Sequence, residues 1–122
     1  MKFNLNKSIQ VLNNTPDVLL ALLHDLDEEW TNKNEGENTW TAKEVLAHLI
    51  VLEETGWLPR VKVILNSGAG EKLAPINMES HFDLAKNTTL EELLSKFRAI
   101  RQHQLKELSG LHLSESDFQK TA

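Results

Sequence analysis

Apolar residues recur at every third or fourth position through most of the chain, and no segment alternates apolar with polar residues, so the pattern predicts helices and no strand. The clearest stripe is Leu90, Leu93, Leu94, Phe97, Ile100, Leu105 and Leu108, with Arg101 and Gln104 lying inside it. Thr88 and Glu91 have the spacing of a capping box and Gly110 that of a C-terminal cap, which predicts a helix over residues 90–109. A second helix, residues 42–65, opens at another capping box, Thr41 with Glu44. Its apolar face carries Val45, Leu49 and Leu52, with Ala42 and Leu46 beside them. Gly56 falls near the centre of that face, where a missing side chain lets another helix come close. Pro59 has no N–H for the Thr55 carbonyl, so a kink or break is expected at residues 55–59.

The first helix is expected over residues 16–26, from the spacing of Val18, Leu19, Leu22, Leu23 and Leu26. Thr15 before Pro16 resembles a capping hydroxyl followed by proline at the first helical position, which marks a restart after a short segment at residues 8–13 capped by Asn6 or Ser8. Residues 30–38 form a loop, residues 66–70 end the second helix, and residues 73–87, with Pro75, make a long connection. The expected architecture is therefore all-α with three main helices.

Composition narrows the chemistry more than the fold. The 122 residues fit one domain, residues 1–122, with three tryptophans, four phenylalanines and 25% charged residues, as in an ordinary packed globule. Net charge is −5 and no basic run forms a stripe that tracks a phosphate backbone, which argues against nucleic acid. The absence of cysteine removes disulfides, thiolate metal sites and thiol nucleophiles together. The N-terminus lacks the apolar core of a signal peptide, and no apolar run approaches the roughly 20 residues that cross a bilayer, so a cytoplasmic protein with no membrane role is expected. Gly68 and Gly70 have no Gly-Lys-Ser context for a phosphate loop, and no serine lies in a Gly-x-Ser-x-Gly turn. Asp27, Glu28 and Glu29 fan around a helix and cannot converge on one ion.

The stretch Trp40-Thr41-Ala42-Lys43-Glu44-Val45-Leu46-Ala47-His48-Leu49 carries the chemical lead. His48 lies roughly 40° outside the Leu52 edge of the stripe, a border position from which an imidazole can enter a cleft between helices. Together with Glu53, Gly56-Trp57-Leu58, Arg60, Phe82-Asp83 and Phe97-x-x-x-Arg101, this stretch resembles the DinB-like (YfiT-like) superfamily of four-helix bundles over most of the chain. The resemblance implies the up-down-down-up bundle of that family, and it implies that His48 supplies one of three ligands to a divalent metal such as zinc, nickel or manganese. The other two family ligands come from a His-x-x-x-His pair on the fourth helix, and no such pair occurs in these residues. The chain stops at Ala122, about where the resemblance places the loop before that helix, so three of the four helices are expected and the domain is expected to be C-terminally incomplete.

Two functions follow from the resemblance. One is a metal-dependent hydrolase or thiol S-transferase acting on a small molecule, impaired because His48 is the sole identified ligand. The other is a non-catalytic helical association module. In either case the isolated chain should hold metal weakly, since one imidazole cannot compete with water for such an ion. The remaining histidines are placed elsewhere: His103 toward solvent, His24 beside the leucine face of the first helix, His81 in the long connection and His112 beyond the last cap. Glu53 and Arg101 both fall on apolar faces and are expected to pair as a structural unit. Phe82-Asp83 is expected to be a turn in which the aromatic packs and Asp83 accepts local N–H bonds. Three single-striped helices leave a groove. Either the chain is a truncated member of the family, or a second chain covers the groove, as in a homodimer; both are expected ahead of a tail that folds back over part of it, which offers only Leu111, Leu113 and Phe118 as apolar anchors.

Overall fold

Residues 2–67 and 79–120 are described in the computed structural model of the chain, and all of their regular structure is helical. In chain order the helices are α1 (Leu5–Leu23), α2 (Glu28–Thr31), α3 (Ala42–Thr55), α4 (Leu58–Ser67), α5 (Ser80–Asn87) and α6 (Leu90–Gly110), followed by a 3-10 turn at Asp117–Gln119. The expected helix end at Gly68–Gly70 and the first part of the expected connection, with Pro75, lie outside the described residues.

The first helix differs most from the sequence pattern. α1 is one continuous helix that starts at Asn4, whose side chain accepts from Lys7 N–H at 3.0 Å, so Pro16 is internal. Thr15 is no cap, because its hydroxyl donates to the Val11 carbonyl at 3.0 Å. Proline inside a helix leaves the carbonyl four residues earlier without its donor, normally a costly defect. Here that carbonyl, Leu12 O, accepts from Arg101 Nη1 on α6 at 2.7 Å. The interruption legible in the sequence is thus repaired by a side chain 89 residues away. The helix also ends earlier than expected, at Leu23, with His24 N–H bonded to Leu20 O and Asp25 at a φ of 60°.

α3 starts as expected: Glu44 N–H donates to Thr41 Oγ1 at 3.0 Å and Thr41 N–H to Glu44 Oε1 at 2.9 Å. The break expected near Pro59 separates α3 from α4. Gly56 caps α3, and a Cβ there would lie 2.7 Å from Leu52 O. The missing side chain therefore clears the helix's own last turn, not a neighbouring helix. The buried face of α3 is also turned from the expected one. Leu46, Ala47, Ile50 and Glu53 are buried, while Val45 is exposed and Leu49 and Leu52 are only half-buried. Glu53, expected near the apolar face, lies on its buried side, where it meets Arg101 and Gln104 of α6.

Residues 80–87 were expected to be part of a connection and instead form α5, which lies along α3 and buries His81 and Ala85 one turn apart. A histidine and an alanine make a weak apolar stripe, which hid the helix. Thr88 takes an extended conformation that closes α5, so the capping box of α6 moves one residue on, to Thr89 and Glu92. Gly110 is the last residue of α6 and not a left-handed cap.

α6 packs against both α1 and α3. One core cluster joins Leu46, Ile50, Leu93, Leu94 and Phe97 to Leu19, Leu20 and Leu23 of α1; a second, at the other end, joins Leu58, Leu105 and Leu108 to Leu5, Ile9, Leu12, Leu111 and Leu113. The tail folds back over this end, the less favoured of the alternatives read from the sequence: Leu111 and Leu113 pack on the second cluster and Phe118 meets Phe3 edge-on at 5.2 Å. Asp117 holds the tail turn by accepting from Ser114 N–H at 2.9 Å and from Lys120 Nζ at 2.8 Å. Those bonds, the Lys120 one first, lower the Asp117 pKa to about 2.

Candidate functional site

Among the described residues, two polar constellations stand out inside the bundle. The first is centred on Glu53. Its Oε1 accepts from Arg101 Nη2 at 2.7 Å and from Trp57 Nε1 at 3.0 Å, and its backbone carbonyl, at the frayed end of α3, accepts from Gln104 Nε2 at 2.7 Å. Arg101 also stacks on Phe97, with its guanidinium carbon 4.8 Å from the ring centre. Two helix defects, the proline of α1 and the end of α3, are satisfied by two residues one turn apart on α6. The bonds of Arg101 to Leu12 and Glu53 and of Gln104 to Glu53 join α6 to α1 and α3, as expected of a structural pair.

The second constellation surrounds His48. The capping box aims the start of α3 so that Trp40, just before it, folds back over the first turn, and Trp40 and His48 meet with ring centres 5.0 Å apart. From the other side, α5 contributes His81 and Phe82. His81 lies 5.1 Å from His48 and 4.3 Å from Trp40, and Phe82 lies 4.0 Å from His81 and 5.8 Å from Trp40. His81 is 0% exposed, whereas His48 is half-buried. Phe82-Asp83 is therefore part of a helix and not a turn, with the aromatic packed as expected and Asp83 on the outside.

A cavity of about 400 Å³ adjoins this cluster between the start of α3 and α5, lined by Asn32, Thr41, Lys43, Glu44, Phe82, Ala85 and Lys86. Phe82 is common to the cavity and the ring cluster; His48 does not line the cavity.

The other histidines stand apart from this site. His24 lies between Asp25 at 3.1 Å and Glu91 at 3.4 Å, and His103 faces solvent beside Glu107 at 3.4 Å. His112 is exposed with a φ of 49°. Asp27, Glu28 and Glu29 are exposed around α2, as expected of acids that do not converge. Sequence reasoning placed His81 in a connection and missed its approach to His48. The available signal was the burial-compatible spacing of His81, Leu84 and Ala85, which reads as a helix once histidine is allowed inside.

The family model of the DinB superfamily matches residues 12–122. The chain belongs to the DinB superfamily. Among solved structures, this DinB-superfamily chain is similar to YfiT from Bacillus subtilis, described as a probable metal-dependent hydrolase with an unusual four-helix bundle topology. The two share 18% identity at a TM-score of 0.79, over 98% of this chain and 69% of that one, which establishes a common fold. No curated protein matches the chain. Among the described residues, only the 3-10 turn follows α6. No described helix is long and apolar enough to cross a membrane.

A catalytic zinc site uses about three protein ligands. Among the described residues, no three His, Cys, Asp or Glu side chains gather as such a set. The donor set at His48 is therefore incomplete within these residues, and the one imidazole beside it belongs to His81.

Proposed function

We propose that this DinB-superfamily chain is of the metal-dependent hydrolase or thiol S-transferase type, with His48 as one ligand to a zinc, nickel or manganese ion. The observation that carries this reading is the half-buried imidazole of His48 on the flank of α3, held against Trp40 beside a cavity of about 400 Å³. The likeness to YfiT supports it. A divalent ion bound there would supply Lewis-acid polarisation or a more acidic water. The chain's own residues would do the rest: Trp40 packs against the His48 imidazole, and Asn32, Lys43 and Lys86 offer polar groups to a small molecule in the cavity. Equilibrium dialysis against zinc, nickel and manganese, followed by elemental analysis, tests the assignment. Weak binding that disappears in His48→Ala supports it, and metal retained by His48→Ala overturns it.

A second reading, a non-catalytic association module, is favoured by a different observation. Val11, Val18 and Leu22 form an exposed apolar row on α1, spaced so that all three share one face. The partner in this reading is a second copy of the chain, since a two-fold pairing lets one row cover another.

A further inference from the structure

We infer that His48 and His81 together form a two-histidine site for a single borderline divalent ion such as Zn²⁺, with His81 as the second protein ligand. This deepens the metal reading of His48 and rests on it. Two imidazoles bound to one tetrahedral zinc through bonds of about 2.0 to 2.1 Å hold their ring centres about 5 Å apart. His48 and His81 stand at 5.1 Å, with their planes at 71°, so they are neither stacked nor beyond the span of one ion.

The two rings come from different helices, and the fold holds each in place. His81 is 0% exposed and is gripped by Phe82 at 4.0 Å and Trp40 at 4.3 Å, so its ring is already held before any ion arrives. Such preorganisation by packed neighbours is what a metal site needs from its supporting residues. His48 is half-buried, which leaves the pair a route to solvent. Two protein nitrogens leave the other positions of a four-coordinate ion to water, a further donor or a substrate atom. No other histidine of the chain stands near another: His24 and His103 have carboxylates as neighbours, and His112 lies beyond α6.

The test is a titration of the 122-residue protein with ZnCl₂ alone, followed through the imidazole nitrogen signals by two-dimensional NMR. The exposed His24, His103 and His112 serve as internal references, each assigned from its own glutamine variant. The expected result is that the His48 and His81 signals shift together with one midpoint, while the other three stay in place. His81→Gln should then weaken zinc binding on the order of 100-fold, one ligand's share of a multidentate zinc site. Because the wild-type titration needs no change at the buried position, a poorly folded His81→Gln does not obscure the answer. A shift of His48 alone overturns the two-histidine site and leaves His48 as a ligand. A shift of neither signal overturns both assignments.

Discussion

Arg101 shows how much one side chain can carry. It bonds the Leu12 carbonyl that Pro16 leaves open and the Glu53 carboxylate, which is 3% exposed. Removing a partner from a buried charge is more damaging than never having built the pair. Arg101→Ala should therefore cost about 3 to 5 kcal/mol in urea denaturation, and the double change Glu53→Leu with Arg101→Met should recover most of that loss. If the single and double variants were equally unstable, packing rather than the stranded carboxylate would be responsible. Thr41→Ala is a milder case. It removes one arm of the capping box that aims Trp40 at His48 and should cost about 0.5 to 2 kcal/mol. A loss of that size in thermal unfolding would confirm that the cap is energetically real; no measurable loss would mean that α3 is held by packing alone.

The helices themselves respond to changes that leave these side chains alone. Gly56 ends α3 where a Cβ would lie 2.7 Å from the Leu52 carbonyl and 3.1 Å from Leu52 Cδ2, so no methyl fits without moving backbone. Gly56→Ala should destabilise by about 1 to 3 kcal/mol, the usual cost of forced overpacking. It should also disturb the Trp57–Glu53 bond, which a change in Trp57 fluorescence would report. The tail turn should be sensitive to acid. Asp117 has its pKa lowered from 3.8 to about 2 by Lys120 and Ser114. A carboxylate whose folded value is depressed stabilises fully above its unfolded value and loses that contribution as pH falls through the folded one. The contact of Phe118 with Phe3 should accordingly persist above about pH 4 and loosen as pH falls toward 2, which ring-proton NMR would follow. A tail that stayed docked through this range would show that Leu111 and Leu113, not Asp117, hold it.

For the molecule as a whole, the open question is what meets the outward face of α1. Asp17 pairs with Arg98 and ties α1 to α6 on its inner side, while Val11, Val18 and Leu22 point away from that contact. Sedimentation velocity should show a dimer in reversible exchange with monomer, and Leu22→Glu should shift it toward monomer, because a charge on each copy would face its mate across a two-fold axis. A concentration-independent monomer in the wild type would remove the association reading and leave the metal reading as the one to pursue.

Local rules carried the sequence reading a long way. Capping boxes and apolar spacing are interactions between residues three or four apart, so the all-α class, the start of α3, the break near Pro59 and the body of α6 were legible without any partner. The same rules put His48 at a helix border and matched Glu53 with Arg101. What they could not supply was set by contacts between distant segments. Pro16 looked like a helix start because its missing N–H is harmless there, and only Arg101, reaching across from α6, makes it equally harmless inside. The face of α3 was placed on Val45, Leu49 and Leu52, whereas packing against α5 and α6 turns Leu46, Ala47, Ile50 and Glu53 inward. α5 and the meeting of His81 with His48 were hidden for the same reason: whether a histidine is a surface group or a core ring depends on what surrounds it, and Trp40 and Phe82 surround His81 only after the chain has folded.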